Sequence, residues 1–153
     1  DGDCISSSLG MAEILKKFNK KYQLLSAGPF KRPEIKKFEK QFDKLPKKKF
    51  DKKNSAVIIV DCSEIERVGD EISEIIKDYD LFIIDHHKTS NADENLSIIY
   101  PSAPATAYLI QNIDDILPNT TFEIVNKVYK QTLGSQLINV EPFVIKVDYS
   151  KSM

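Results

Sequence analysis

The residues best suited to chemistry in this chain of 153 residues are acids and histidines placed next to apolar runs. Asp61 directly follows the apolar run Ala56–Val60, whose β-branched residues are typical of a strand buried on both faces. The next apolar run, Leu81–Ile84, precedes an acid and the only two histidines of the sequence: Asp85, His86 and His87. Two further acids, Asp1 and Asp3, directly precede the first predicted helix, where a strand would normally deliver the chain.

Apolar spacing predicts the elements that would bring these residues together. The residues between the two apolar runs carry apolar side chains at helical spacing: Ile65, Val68, Ile72, Ile75 and Tyr79. The order strand, helix, strand within Ala56–Ile84 predicts a βαβ unit with parallel strands. The predicted fold class is therefore α/β, with an open and mostly parallel sheet flanked by helices. Ligands bind such sheets at the carboxyl ends of the strands, so Asp1, Asp3, Asp61 and His86 should converge there.

The remaining elements follow from the same spacing rules. Helices are predicted over Ile5–Phe18, Ile35–Leu45, Ala103–Leu117 and Phe122–Leu133, and strands over Tyr22–Leu25, Leu96–Tyr100 and Phe143–Val147. Two breakers support these boundaries, because the sequence Ala27-Gly28-Pro29 ends the first of these strands and Pro46 ends the second helix.

A divalent metal is the simplest reason for several acids to share one edge of a sheet. Crowded carboxylates repel one another and raise each other's pKa values unless a cation lies among them. A mixed set of aspartate and histidine ligands suits Mn²⁺ or a similar ion, and a shared carboxylate can bridge two ions about 3.5–4 Å apart. Other interpretations remain open: Asp61 as a turn or helix cap, Asp1-Gly2-Asp3 as a turn and N-cap, and Asp85-His86 as a metal-free pair.

Composition excludes several classes of protein. Hydrophobic residues make up 41% and charged residues 29% of the chain, which excludes collagen-like, coiled-coil and wholly disordered proteins. The apolar runs are too short to span a bilayer, so no membrane association is expected. Two cysteines cannot form a disulfide-rich scaffold, which favours a cytoplasmic location. Cys4 and Cys62 are expected to pack as small apolar side chains.

The charges are distributed unevenly along the chain. The segment Lys16–Lys53 holds 15 basic and 4 acidic residues, whereas the rest of the chain holds 7 basic and 19 acidic residues. A basic segment of this kind either attracts phosphates and nucleic acid or forms a solvated lysine-rich face. The sequence alone leaves both interpretations open.

Three segments resemble, in order and spacing, the first three motifs of the DHH phosphoesterase family: Asp1–Gly10, Val60–Ser63 and Asp85–Thr89. A fourth segment, Ser102–Ala107, is similar to the part of the family that follows the third motif. The resemblance covers residues 1–117, which we expect to form a DHH-type catalytic domain. Residues 118–153 are expected to be the end of that domain or a joined C-terminal piece.

The resemblance implies two Mn²⁺ ions, with Mg²⁺ or Co²⁺ as possible substitutes. In that family pattern Asp1 binds one ion, Asp3 binds the other, and Asp61 bridges them. His86 completes the ligands of the second ion.

The resemblance also implies residues that act on the substrate. His87 faces the substrate phosphate, where it donates a hydrogen bond to developing charge. Asp85 orients the two histidines without binding the metal itself. Ser7 matches a small residue of the first motif, near the start of a helix whose dipole favours anions.

The chain also departs from the family pattern. A histidine that precedes the first motif, a later Asp-Thr-Gly-like motif and the Gly-Gly-His signature of a DHHA1 domain are all missing from these residues. We therefore expect the chain to be a fragment, or pieces of a longer chain that have been joined.

The implied function is a manganese-dependent two-metal phosphoesterase of the branch that combines oligoribonuclease and phosphoadenosine-phosphate phosphatase activities. Its substrates would be short RNA or DNA oligonucleotides, or nucleotide phosphates such as 3′-phosphoadenosine 5′-phosphate, and its partner would be a second copy of the chain in a homodimer. The alternatives are a family inorganic pyrophosphatase and a non-catalytic module that binds phosphate or nucleic acid through an incomplete metal site.

Overall fold

A three-stranded parallel sheet forms the centre of the computed structural model, which describes residues 1–47, 51–88 and 97–116. The strands are β1 (Ala56–Val60), β2 (Asp80–Asp85) and β3 (Ser97–Ile99), and they lie in the order β1-β2-β3. The α-helices of the described residues are α1 (Gly2–Lys17), α2 (Pro33–Lys36), α3 (Asp70–Ile76) and α4 (Thr106–Ile116). The predicted α/β class, with an open parallel sheet and flanking helices, is confirmed.

Helices cover both faces of the sheet because alternate side chains of a strand point to opposite faces. On one face Val57 and Ile59 of β1 pack with Ile72 and Ile76 of α3. On the other face the buried side chains of β2 pack with α1 and α4 in a cluster that contains Phe82, Ile84, Met11, Leu15 and Ile110. Parallel pairing of β1 with β2, in which Val60 lies opposite Ile84, places the carboxyl ends of the two strands side by side.

The predicted βαβ unit is confirmed, but its connecting helix is divided. Residues Ile65–Val68 form a 3₁₀ turn, and α3 begins after Gly69, which has φ of 107°. A Cβ atom on Gly69 would lie 2.8 Å from the Cβ of Ala27, so the chain passes too close for any larger residue. The residues predicted at helical spacing therefore form a 3₁₀ turn and a separate α-helix, with Gly69 in a non-helical conformation between them.

The predicted helix over Ile35–Leu45 was also wrong. Its only helical residues are the second half of α2, which spans Pro33–Lys36, and a 3₁₀ turn at Glu39–Gln41. The apolar side chains of this segment pack in another way: the ring of Phe42 contacts the ring of Phe30 edge-on, with 5.2 Å between the ring centroids. The predicted strand Tyr22–Leu25 is reduced to a single parallel bridge between Leu25 and Asp43.

The other predicted elements of the described residues are confirmed with small shifts. The first predicted helix corresponds to α1, and the elements predicted over Leu96–Tyr100 and Ala103–Leu117 correspond to β3 and α4. The predicted helix Phe122–Leu133, the predicted strand Phe143–Val147 and the expected C-terminal piece at 118–153 lie outside the described residues.

None of the helices described here has the length and apolar character that a membrane crossing requires.

Candidate active site

The acids that follow the two apolar runs, Asp61 and Asp85, lie at the carboxyl ends of β1 and β2. Asp61 follows β1 in a left-handed conformation with φ of 59°, which aspartate tolerates better than most residues. Its amide donates to the carbonyl of Ile84 at 2.9 Å, so the turn is anchored to β2. Asp85 is the last residue of β2 and is fully buried. Because the strands are parallel neighbours, the two acids reach the same edge of the sheet.

Asp3 reaches this edge from the first turn of α1. One oxygen of its carboxylate accepts the amide N–H of Thr106 at 2.9 Å, and the other accepts that of Ala107 at 2.8 Å. These are the first amides of α4, which have no acceptor within their own helix. The positive end of the α4 dipole therefore faces the carboxylate of Asp3.

The carboxyl groups of Asp3 and Asp61 have opposite pKa shifts. For Asp3, burial acts to raise the pKa, but the amides of Ala107 and Thr106 lower it below its ordinary value. For Asp61, burial raises the pKa and the negative charge of Asp3 adds to the increase, although the Thr106 hydroxyl opposes it. A cation between the two carboxyl groups would favour the ionised form of both.

The imidazole of His86 faces both of these carboxyl groups. Its Nδ1 lies 3.1 Å from the carbonyl oxygen of Ala103, which can only accept, so Nδ1 carries the proton of this hydrogen bond. Its Nε2 lies 3.4 Å from Oδ2 of Asp3 and 3.6 Å from Oδ1 of Asp61. In the neutral tautomer, the lone pair of Nε2 thus faces two carboxylates. Metal-ligating histidines commonly show this arrangement, with the second nitrogen bonded to a carbonyl group.

The side chain of His87 is held by the buried carboxylate of Asp85. Oδ1 of Asp85 lies 2.7 Å from Nδ1 of His87 and also accepts the amides of His86 and His87 at 2.8 and 3.2 Å. The hydrogen bond to Asp85 raises the pKa of the His87 imidazole above its ordinary value. Because the ring is 54% exposed, it can meet a ligand from solvent. A protonated His87 therefore has one N–H held by Asp85 and one more N–H to donate.

Asp61, His86 and His87 offer ligand atoms that all lie within 4.8 Å of one another. Nδ1 of His87 is 3.7 Å from Oδ1 of Asp61, so both rings approach the same carboxylate. The donor set of one carboxylate and two imidazoles fits a transition-metal ion. The family resemblance assigned His87 to the substrate and not to the metal, and the hydrogen bond from His87 to Asp85 is compatible with that role.

Asp1 and Ser7 have local partners in the structure. Oδ1 of Asp1 accepts a hydrogen bond from the amide of Cys4 at 3.1 Å, so Asp1 is the N-cap of α1. This agrees with the alternative interpretation of Asp1-Gly2-Asp3 as an N-cap. Ser7 is fully buried, and its hydroxyl lies 3.4 Å from Oδ1 of Asp3. The roles of Asp1 as a metal ligand and of Ser7 in substrate binding stay predictions.

The family assignment follows from comparison of the whole chain with known proteins. The model of the DHH family N-terminal domain matches residues 1–146. The chain belongs to the DHH family. It is also 29% identical, over 156 aligned residues, to a Thermus thermophilus protein named bifunctional oligoribonuclease and PAP phosphatase NrnA. The alignment covers 96% of this chain and 45% of that relative, so the DHH-family chain spans about half the relative's length.

Two residues of this DHH-family site, Thr106 and Arg67, were not predicted from the sequence. The hydroxyl of Thr106 donates to Oδ1 of Asp61 at 2.9 Å, while its amide binds Asp3. A threonine shortly after Pro104 and before an apolar helix is a recognisable helix-start signal, although it does not reveal the partner. Arg67 is exposed, and its positive charge lies near enough to His87 to oppose the rise in that ring's pKa. No pattern in the sequence distinguished Arg67 from other basic residues.

Proposed function

We propose that this DHH-family chain is the catalytic part of a metal-dependent phosphoesterase. Its substrates would be short oligonucleotides or nucleotide phosphates such as 3′-phosphoadenosine 5′-phosphate. The observation that carries the proposal is the position of Nε2 of His86, 3.4 Å from Asp3 and 3.6 Å from Asp61. Family membership and the printed name of the Thermus thermophilus relative support the reaction and substrate classes.

Two Mn²⁺ ions, or Mg²⁺ or Co²⁺ in their place, would be held by Asp1, Asp3, Asp61 and His86. The donor set fits, because it joins carboxylate oxygens to an imidazole nitrogen whose ring is oriented by Ala103. When bound, such ions supply positive charge to phosphate oxygens and lower the pKa of a water molecule.

The protein's own residues would orient the phosphate and move protons. Asp85 would keep His87 protonated and fixed, so that the imidazolium donates a hydrogen bond to a phosphate oxygen as negative charge develops. Arg67 would add a second cation beside His87. Thr106 would hold Asp61 in position through the 2.9 Å hydrogen bond. Thr106 is fully buried, so its hydrogen bond to Asp61 is stronger than the same bond would be at an exposed position.

Hydrolysis of 3′-phosphoadenosine 5′-phosphate with added Mn²⁺ tests the proposal. We expect release of phosphate that stops on chelation and returns when Mn²⁺ is restored. Asp61→Asn should lose both Mn²⁺ binding, measured by calorimetry, and turnover, because it removes the charge shared by the site. Asp70→Asn is the matched control, since Asp70 is an exposed acid on α3. Turnover that survives complete removal of metal would refute the mechanism.

The same assay separates the alternatives. Preference for pyrophosphate would favour a family inorganic pyrophosphatase, whereas salt-sensitive nucleotide binding without hydrolysis would favour a non-catalytic module.

The expected domain at 1–117 and the homodimer also stay proposals. Limited proteolysis would test the domain, and sedimentation would test the homodimer. A cytoplasmic location stays a proposal as well, and cell fractionation would test it.

A further inference from the structure

Arg67 carries a positive charge that no acid of the described chain neutralises. It lies in the 3₁₀ turn Ile65–Val68 between β1 and α3, and its side chain is exposed. Within residues 1–47, 51–88 and 97–116, its guanidinium forms no ion pair and no hydrogen bond, and the nearby acids Glu64 and Glu66 do not pair with it. All polar groups of a guanidinium are donors, so this side chain can bind an anion from solvent.

The carbonyl oxygen of Glu64 holds the backbone of Arg67 close to the site. This oxygen accepts the amide N–H of Arg67 at 3.1 Å and the thiol of Cys62 at 3.1 Å. Cys62 directly follows Asp61, whose Oδ1 lies 3.7 Å from Nδ1 of His87. The shared carbonyl group therefore places Arg67 beside the residue that follows a carboxylate of the site, at the carboxyl edge of the sheet.

The charge of Arg67 acts on two groups at this edge. Burial raises the pKa of the Cys62 thiol, and the positive charge of Arg67 opposes this rise. The hydrogen bond to Asp85 raises the pKa of the His87 imidazole, and the charge of Arg67 opposes that rise as well. Because such effects weaken with distance and with salt, the guanidinium lies near both groups. An anion beside Arg67 would therefore also lie near the exposed ring of His87.

The guanidinium lies outside the group of carboxylates that would hold the metal ions. Nε2 of His86 lies 3.4 Å from Asp3 and 3.6 Å from Asp61, whereas neither of these acids forms an ion pair with Arg67. The proposed metal ions and His87 would contact the phosphate that reacts. Nucleotide substrates with a second phosphate carry it on another position of the sugar, away from the reacting group.

We propose that Arg67 binds the phosphate group of the substrate that is not hydrolysed, and that it thereby favours nucleotides with two phosphates over compounds with one. The planar guanidinium matches two oxygens of a phosphate group and keeps its charge throughout the physiological pH range. In an oligonucleotide the same contact would go to the neighbouring phosphodiester group. The inference rests on the proposed function, because it names the substrate class of the same site.

Steady-state kinetics with two substrates tests the inference. The substrate 3′-phosphoadenosine 5′-phosphate carries two phosphates, whereas p-nitrophenyl phosphate carries one. In Arg67→Gln with Mn²⁺, we expect KM for the first substrate to rise at least about tenfold more than KM for the second, because a charge-assisted contact is lost. Arg67→Lys keeps the charge but not the planar fork, so its ratio of KM values should lie between those of Arg67→Gln and the unmodified chain.

Lys77→Gln is the matched control, because it also removes one positive charge. Lys77 follows α3 at the end that leads into Asp80, the first residue of β2, so it lies at the opposite edge of the sheet from Asp61. Its two KM values should stay near those of the unmodified chain. The thermal unfolding midpoint of Arg67→Gln should also stay near that of the unmodified chain, since no described partner of the guanidinium is left unpaired.

Several results would overturn the inference. An equal rise of both KM values would assign Arg67 to the reacting phosphate, and unchanged values would mean that Arg67 binds neither group. If Arg67→Gln does not fold, Arg67→Lys decides alone, and a ratio equal to that of the unmodified chain refutes the inference.

Binding separates this inference from the proposed hydrolysis. If neither substrate is hydrolysed, the proposed function fails, and calorimetry with a chelator present decides on Arg67. Adenosine 5′-monophosphate should then bind Arg67→Gln at least about tenfold more weakly than the unmodified chain. Equal affinities, or no binding of the monophosphate by the unmodified chain, would refute the inference.

Discussion

At the scale of single residues, hydrogen-bond partners distinguish two neighbouring histidines. Nδ1 of His86 bonds to a neutral carbonyl oxygen, that of Ala103, which leaves Nε2 facing carboxylates. Nδ1 of His87 bonds to the carboxylate of Asp85, which favours the protonated ring. A ring nitrogen that lies among carboxylates can join them as a metal ligand, whereas a protonated imidazole suits an anion. The two rings are therefore expected to differ in function although they are adjacent in sequence.

Alanine substitutions should separate the two roles. His86→Ala removes a predicted ligand, so Mn²⁺ affinity should fall clearly in calorimetric titration. His87→Ala removes a donor to the developing charge, so turnover should fall by about 10²–10³ while Mn²⁺ affinity stays near that of the unmodified chain. The roles would be exchanged if His87→Ala lost the metal and His86→Ala kept it.

The pH dependence of activity should depend on Asp85. The hydrogen bond to Asp85 raises the pKa of His87 above 6.5, so the protonated ring persists to higher pH and is lost as pH rises through the raised value. Asp85→Asn removes the negative charge, so the pKa of His87 should fall and the alkaline loss of turnover should move to lower pH. Histidine NMR titration and turnover against pH measure both effects.

Asp80→Asn provides the control for that experiment, because Asp80 lies at the opposite end of β2. An unchanged pH profile in Asp85→Asn would contradict the assignment of His87 as a proton-bearing group.

The hydrogen bond between His87 and Asp85 also makes the stability of the folded protein depend on pH. It stabilises the protein at pH values below 6.5, and this contribution is lost as pH rises through the raised pKa of His87.

At the scale of elements, the start of α4 holds two of the acids of the site. The amides of Thr106 and Ala107 bind Asp3, and the hydroxyl of Thr106 binds Asp61. These contacts connect α1, β1 and α4 at one point. Packing of Gly10 in α1 against Ile110 in α4, where an added Cβ would meet a methyl group at 3.0 Å, brings the two helices close enough for this.

Thr106→Val should weaken metal binding without removing a ligand. Valine has a similar shape but no hydroxyl, so Asp61 loses its 2.9 Å hydrogen bond. Loss of an orienting partner of this kind commonly costs about 10–100-fold in metal affinity. Thr106→Ser keeps the hydroxyl and should bind Mn²⁺ nearly as tightly as the unmodified chain. Equal Mn²⁺ affinity in the valine and serine variants would refute the role of the hydroxyl.

At the scale of the whole molecule, the basic segment Lys16–Lys53 is only partly neutralised by neighbouring acids. Lys16, Lys36 and Lys47 form ion pairs with Glu13, Glu39 and Asp43. Lys31, Lys40 and Lys44 are exposed and form no direct ion pair within the described part of the chain, although the charge of Lys44 also acts on Glu39. The second group therefore keeps its charge available for an anionic ligand.

A matched pair of triple variants tests whether this charge attracts nucleic acid. Substituting glutamine at Lys31, Lys40 and Lys44 should weaken binding of a short oligoribonucleotide and flatten its dependence on salt. The same change at Lys16, Lys36 and Lys47 should have a smaller effect, because each of these lysines already has a carboxylate partner. Fluorescence anisotropy over a series of salt concentrations measures both. No effect in either variant would favour a solvated lysine-rich face.

Much of this protein could be predicted from local patterns. The runs Ala56–Val60 and Leu81–Ile84 predicted two buried parallel strands, because a strand that is buried on both faces consists of consecutive apolar residues. The polar residues that follow them, Asp61 and Asp85–His87, were then assigned to one edge by a general rule of parallel sheets. The DHH-family membership was likewise predicted from three short motifs, and the match over residues 1–146 confirms it.

Tertiary structure alone decided which atoms meet. The segment Ile35–Leu45 does not form one helix and instead packs Phe42 against Phe30. The helical region after β1 is divided at Gly69, which has a positive φ and lies against Ala27. The bonds from Thr106 to Asp3 and Asp61 join residues 103 and 45 positions apart. Periodicity reports which face of an element is buried, but hydrogen bonds depend on distances between elements that only the packed chain sets.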